Sequence, residues 1–184
     1  MFDIYQYKNI DLDWSPEKLY EILQNEDEPW VYEQNVKNKY CRTKHPYIWQ
    51  NLYSQIIDQG FMPKGCGFAE MLPNTEIETH KDYGRSLGIN FPISGDWKNS
   101  PITMFNNTKE TIVATYTYKE GQAVILNTQN FHKVVNKSDK IRYILSISVI
   151  KEGDIYYDVN GKKVRVDDKY IRELQNYHLS NRES

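Results

Sequence analysis

Cysteine is scarce in this chain. Cys41 and Cys66 are the only two in 184 residues, and they form no Cys-x-x-Cys pair. Two are too few for a disulfide framework or a four-cysteine zinc site, so they read as free thiols in a reducing compartment. No apolar run approaches the roughly 20 residues that a membrane span requires. The opening segment, MFDIYQYKNIDLDW, has acids where a signal peptide would carry its apolar core. The chain therefore reads as cytoplasmic and without a membrane partner. Positive charge is not concentrated either: 23 Lys and Arg against 25 Asp and Glu leave a net charge of −2 with no basic block. A long nucleic acid, which needs a clustered cationic surface, is not an expected partner. Histidine is limited to four residues, none of them in a His-x-His pair, and no internal repeat or low-complexity segment is present.

A chain of this length is expected to form a single domain over 1–184 with a sizeable core. Tyrosine stands out at 15 residues, which suits a sheet-rich protein because the side chain combines β-propensity with a polar handle. The first part, 1–64, reads as mainly helical. In SPEKLYEILQ, Ser15 is placed to cap and Pro16 to open a helix. In HPYIWQNLYSQIIDQG, Ile48, Leu52 and Ile56 make one i, i+4 row, Trp49, Tyr53 and Ile57 the next, and Gly60 stands where a helix ends. Residues 25–44 give no assignment.

From residue 65 the pattern changes to eight short β-like runs: GCGFAEML, EIETH, SLGINFPI, ITMFN, TIVATYTY, QAVILN, HKVVN and IRYILSISVI. Turn residues such as Pro73-Asn74, Gly84, Gly95-Asp96 and Glu120-Gly121 separate them. Eight strands at this spacing over 65–150 predict a sandwich or jelly roll, with the N-terminal helices on one face. Residues 151–184 read as a hairpin around Asn160-Gly161, then a helix opened by Asp167 or Asp168, then a frayed tail LSNRES. The last long run is the most informative. Its odd positions, Ile141 to Val149, are apolar or aromatic, and its even positions include Arg142, Ser146 and Ser148. Side chains alternate across a strand, so one face packs under helices and the other is polar enough to meet water or line a cavity.

The chemistry sits in ETHKDYGR. His80 and Asp82 are one residue apart, and if the strand continues through them, Glu78, His80 and Asp82 leave one face together. Such a pair is weak by itself, since about 0.3 of them are expected at random in this composition. A third ligand is needed. His45 lies at a helix start and His178 near the tail, which leaves His132, 52 residues after His80, in HKVVN. Two neutral imidazoles and a carboxylate leave coordination positions open, the facial triad of non-haem Fe(II) oxygenases. Arg142, on the polar face with Ser146 and Ser148, offers a fork suited to a carboxylate. The set describes a site for a dicarboxylate that chelates iron at one end and meets Arg142 at the other, which is the shape of a 2-oxoglutarate site.

His-x-Asp, then His132, then Arg142 ten residues on, resembles the signature of the Fe(II)/2-oxoglutarate-dependent oxygenases. More narrowly, LPNTEIETHKDYGRSLGINFPI followed by EGQAVILNTQNFHKVVNKSDKIRYILSISV is similar to the aspartyl/asparaginyl β-hydroxylase branch, over about residues 66–150. The resemblance implies a mainly β (α+β) double-stranded β-helix, cupin-like, with Fe(II), 2-oxoglutarate and O₂ as reactants. It also implies oxidative decarboxylation to succinate coupled to hydroxylation of a C–H bond. The ligands would be His80, Asp82 and His132. In the strand after His80 the branch has further polar residues for the 2-oxoglutarate carboxylate nearest the metal, and Arg85 and Asn90 are the candidates here. Asp82 departs from branch members that lack the carboxylate ligand. Tyr83, Tyr116 and Tyr118 are candidate cleft aromatics, and Trp97 a candidate lid residue. The substrate expected is a small molecule, amino acid, or peptide or protein side chain. Two alternatives remain: a cupin-type metal enzyme that does not use 2-oxoglutarate, and an inert jelly-roll binding module. The first usually carries a His-x-His pair, which is missing, and it leaves Arg142 without a role.

Overall fold

The computed structural model describes residues 7–32, 38–106, 108–158 and 160–180. In chain order the elements are β1 (Tyr7–Ile10), α1 (Pro16–Gln24), β2 (Val31–Tyr32) and β3 (Asn38–Arg42). A π-helical turn (Ile48–Leu52) runs into α2 (Tyr53–Asp58). Then come β4 (Met62–Met71), β5 (Thr75–His80), β6 (Leu87–Ser94), a 3₁₀ turn (Trp97–Asn99), β7 (Ile102–Phe105) and β8 (Ile112–Tyr116). β9 (Ala123–Asn127), β10 (His132–Asn136) and β11 (Arg142–Ile150) follow, and β12 (Ile155–Tyr157), β13 (Lys163–Arg165) and α3 (Asp168–Ser180) complete the described chain. The eight runs read from the sequence are β4 to β11. The N-terminal part is less helical than expected, because β1, β2 and β3 interleave with its helices, and β2 and β3 fall within the unassigned segment. Of the tail expected to fray, Leu179 and Ser180 belong to α3, while 181–184 lie outside the described residues.

All pairings are antiparallel. A seven-stranded sheet has the order β1-β9-β6-β11-β4-β3-β2 and faces a four-stranded sheet with the order β5-β10-β7-β8; β12 and β13 make a separate hairpin. This is the double-stranded β-helix, a jelly roll in which strands distant in sequence become neighbours. The helices cover the outer face of the large sheet. Ser15 Oγ accepts from Lys18 N–H at 3.1 Å and Pro16 opens α1, as capping chemistry dictates. Ile48, Leu52 and Ile56 are fully buried in one row. Gly60, at φ +82°, ends α2, where its N–H donates to the Ile57 carbonyl.

Two apolar cores result. One lies between the helices and the large sheet and includes Leu19, Ile56, Phe68, Phe91, Leu145 and Ile147. The other lies between the sheets and includes Met71, Ile102, Met104, Val124 and Val134. Strand β11 supplies both requirements through its two-residue period: Leu145, Ile147 and Val149 enter the first core, while Arg142, Ser146 and Ser148 face the space between the sheets. A third, smaller cluster of Met62, Ile150, Tyr156 and Val166 packs the hairpin and α3 against the barrel's side.

Candidate metal centre

Strands β5 and β10 pair so that His80 and His132 stand directly opposite one another. Cross-strand neighbours on one face lie close together, and the two ring centroids are 4.3 Å apart. His80 Nδ1 donates to the Glu78 carbonyl at 2.7 Å and His132 Nδ1 to the Asn130 carbonyl at 3.0 Å. A carbonyl only accepts, so each Nδ1 carries the proton and each Nε2 keeps its lone pair. Both Nε2 atoms point to one oxygen, Asp82 Oδ1, at 3.4 Å from His80 and 3.8 Å from His132. One donor atom from each of the three residues lies within 4.8 Å of the others. Two neutral imidazoles and one carboxylate so gathered, with the ring N–H groups anchored to backbone, fit a divalent ion of the iron, cobalt or nickel type.

Asp82 reaches this position differently from the sequence expectation. Strand β5 ends at His80, so the shared face of Glu78, His80 and Asp82 does not continue; Glu78 is exposed. The β5–β6 loop brings Asp82 back instead. Its N–H donates to the Thr128 carbonyl at 2.9 Å, and Gln129 Nε2 donates to the carbonyls of both Asp82 and Arg85 at 2.7 Å. The Arg85 side chain then donates from Nε (2.8 Å) and Nη2 to Asp82 Oδ2. One carboxylate oxygen is thereby held by the guanidinium, and the other is left to face the imidazoles. Burial works against ionisation of Asp82, but the charge and hydrogen bonds of Arg85 outweigh it and hold the carboxyl well below the usual carboxylate range. Burial also pushes His132 below its ordinary value, against the pull of Asp82, which favours the neutral, ligating form.

The centre opens into a cavity of about 430 Å³ between the sheets, a size suited to a small organic ligand. The eight residues expected to bind metal or co-substrate all line it: His80, Asp82 and His132 at one side, and Arg85, Asn90, Arg142, Ser146 and Ser148 around them. Ile77, Ile102, Leu126 and Val134 supply apolar wall. Arg142 is 3% exposed, and no carboxylate meets it among the described residues. Its guanidinium lies 5.0 Å from the Tyr118 ring centre and 5.9 Å from that of Trp97; Nη1 approaches Met71 Sδ at 3.7 Å, and Nε has no partner. A buried cation that meets aromatic faces, the Tyr118 hydroxyl and a thioether is short of an anion. Asn90 donates through Nδ2 to Tyr118 Oη at 2.7 Å, while its buried Oδ1 has no partner. Ser146 sits opposite Asn90 in the register of β11 and β6 and accepts from Arg85 Nη1 at 2.9 Å. Arg85, nominated for the co-substrate, thus has the Asp82 carboxylate as its principal partner.

The aromatic expectations divide. Tyr118 lines no surface cleft; it is a buried partner of Arg142 and Asn90, and burial raises its hydroxyl against the opposing effect of Arg142. Trp97 packs on Tyr118 at 5.3 Å, with its ring centre 5.9 Å from the Arg142 guanidinium. Tyr116 belongs to the inter-sheet core, and Tyr83 is exposed at the cavity rim. Thr128 and Gln129, which hold the ligand loop, carried no signal in the sequence, where they are two polar residues in an ordinary turn.

The sequence profile of the aspartyl/asparaginyl β-hydroxylases matches residues 26–152, well over half of the chain. Among curated protein sequences, none matches. Several solved structures share the fold at low identity. HygX from Streptomyces hygroscopicus, solved with nickel and 2-oxoglutarate bound, is 7% identical with a TM-score of 0.59, over 91% of this chain and 93% of that one. A prolyl-4-hydroxylase from Pseudomonas putida is 13% identical with a TM-score of 0.57, over 81% and 94%. An oxidoreductase of the 2-oxoglutarate–Fe(II) oxygenase family from Burkholderia pseudomallei is 10% identical with a TM-score of 0.59, over 72% and 77%.

Proposed function

This chain belongs to the aspartyl/asparaginyl β-hydroxylase family, and from that premise we propose that it is an Fe(II)- and 2-oxoglutarate-dependent dioxygenase that hydroxylates a substrate C–H bond. The overall change is C–H plus O₂ plus 2-oxoglutarate to C–OH, succinate and CO₂. The observation that carries the reading is a buried guanidinium without an anion in the same cavity as two imidazoles and a carboxylate. A cupin-type metal enzyme would leave that guanidinium without purpose.

His80, Asp82 and His132 would hold the iron, which when bound supplies activation of O₂ and couples loss of CO₂ from 2-oxoglutarate to oxidation of the substrate. The chain's own part is positional. Arg142 would take the far carboxylate of the co-substrate through its planar fork, with the Tyr118 and Trp97 rings packed beside it. Asn90 Oδ1, Ser148 and the remaining donors of Arg85 would meet the polar end nearer the ligands. Ile77, Ile102, Leu126 and Val134 exclude water from the reacting space. The substrate class is a small molecule, an amino acid, or a peptide or protein side chain, approaching over the rim that carries exposed Tyr83. A cytoplasmic setting is in keeping with two buried free thiols, and among the described residues no helix is long and apolar enough to cross a membrane.

Anaerobic titration with Fe(II) and then 2-oxoglutarate tests the reading. A weak visible metal-to-ligand charge-transfer band is expected in the wild type and not in His132→Ala. Its absence from the wild type would leave the cupin and inert-module alternatives standing. Succinate release across a substrate panel, with His132→Ala as blank, then identifies the substrate.

A further inference from the structure

The loop that carries Asp82 is also tied to a part of the molecule outside both sheets and beyond residue 152, where the family match ends. Gly84 lies between the two members of the Asp82–Arg85 pair, at φ +83°, a left-handed conformation that favours glycine. Both of its backbone polar groups are taken. The N–H donates to the Tyr157 carbonyl on β12 at 2.6 Å, and the carbonyl accepts from Lys64 Nζ, on β4, at 2.6 Å. Lys64 Nζ also donates to Tyr156 Oη at 3.1 Å and sits 4.3 Å from the centre of that ring. Tyr156 Oη in turn lies 3.1 Å from Tyr170 Oη on α3. Two residues after Gly84, Ser86 Oγ donates to Asp154 Oδ2 at 2.7 Å, a second tie from the loop to the C-terminal segment. Among the described residues no carboxylate pairs with Lys64. Its half-buried ammonium is satisfied by a peptide carbonyl, a phenol and a ring face.

From this arrangement we infer that Lys64, docked on the C-terminal hairpin, is a positioning residue for the metal ligand Asp82, acting through Gly84. The inference rests on the assignment of Asp82 as a ligand. Asp82 lies outside the ladder of β5, so the direction of its carboxylate depends on the loop and on the grip of Arg85. That grip spans residues 82 to 85, and Gly84 is the pivot within it. Releasing the Gly84 carbonyl lets Arg85 move relative to Asp82, and Oδ1 loses its fixed orientation toward the imidazoles. Fold support alone does not require the ammonium, because the apolar cluster of Met62, Ile150, Tyr156 and Val166 already packs the hairpin on the barrel.

Co(II) titration of the full chain, followed by its visible absorption below the melting transition of each metal-free variant, decides the point. Lys64→Met is expected to weaken Co(II) binding about 10- to 100-fold, the usual size of a loss among groups that orient metal ligands. Lys64→Arg, which keeps the charge and the donor, recovers most of the affinity. Leu174, on α3, packs partly buried against the same apolar cluster; Leu174→Ala loosens α3 without touching Gly84 and is expected to bind Co(II) as the wild type does. Wild-type affinity in Lys64→Met overturns the inference, and so does an equal loss in Leu174→Ala. Should Lys64→Met not fold, Tyr156→Phe carries the test: a smaller loss in the same direction supports it, and unchanged affinity overturns it. A wild type that binds no Co(II) overturns the metal centre itself, which separates that failure from failure of Lys64 alone.

Discussion

Arg142 is the residue at which stability and function pull apart. A guanidinium buried without an anion costs folding energy, and its aromatic neighbours return only part of it. Arg142→Met, similar in length and apolar, is therefore expected to leave the metal-free protein as stable as the wild type or more so. On the proposed role, the same substitution would remove a charge-assisted pair to the co-substrate, a contribution of about 1.5–3 kcal/mol. The apparent affinity for 2-oxoglutarate should fall roughly 10- to 100-fold, read from the charge-transfer titration, with Co(II) affinity unchanged. A large fall in melting temperature with unchanged 2-oxoglutarate affinity would make Arg142 a packing residue only. The position of Arg142 was legible because the alternation of β11 is a local property. Its isolation from any carboxylate was not, since that depends on what β4, β6 and the Trp97 turn bring to it.

At the scale of elements, β10 shows how a sequence pattern can be visible while its purpose stays hidden. The run HKVVNKS ends in Asn136 and Ser138, part of the stretch similar to the β-hydroxylase branch. Asn136 is fully buried, and its Nδ2 donates to the carbonyls of Met71, Leu72 and Lys140. Its Oδ1 accepts from the Ser138 N–H and hydroxyl and from Ser100 Oγ. One amide thus closes the turn into β11 and joins it to the end of β4. Asn136→Ala leaves several buried groups without partners, at about 1–3 kcal/mol for each group not rescued by water. For a chain of this size the melting temperature should drop by roughly 5–15 °C. Protein that remains folded should still bind Co(II), as its ligands are untouched. Loss of binding in folded Asn136→Ala would mean that the asparagine supports the site directly. The helices were the easier reading: Ser15, Pro16 and Gly60 act through nearest-neighbour backbone chemistry, and they stand where that chemistry put them. Strands β1 to β3 were missed because short strands at or next to a sheet edge carry little pattern of their own and depend on the sheet they join.

For the molecule as a whole, the centre draws on β5, β10 and the β5–β6 loop, so a bound ion links parts that unfolding would separate. Binding to the native state alone raises stability by about 2.7 kcal/mol at a hundredfold excess over Kd. Adding Co(II) or Ni(II) should therefore raise the melting temperature by roughly 5–10 °C, and a chelator should reverse it. Adding 2-oxoglutarate with the metal should raise it further in the wild type and not in Arg142→Met. An unchanged melting temperature at saturating metal would argue against coordination by residues on separate strands.

The sequence by itself determined the chemistry present and its local direction: a histidine and an aspartate one residue apart, a second histidine in a later strand, an arginine on the polar face of an alternating run. These follow from side-chain identity and from the two-residue and 3.6-residue periods, which need no knowledge of distant parts. Only the tertiary structure decided how they meet. Antiparallel pairing set His80 against His132 across 52 residues. A loop, and not a continuing strand, returned Asp82 to them. Arg85 turned onto the ligand carboxylate, and Trp97 and Tyr118 closed over Arg142. Each of these contacts joins segments whose neighbourhood is chosen by sheet register and core packing, and those are properties of the whole fold.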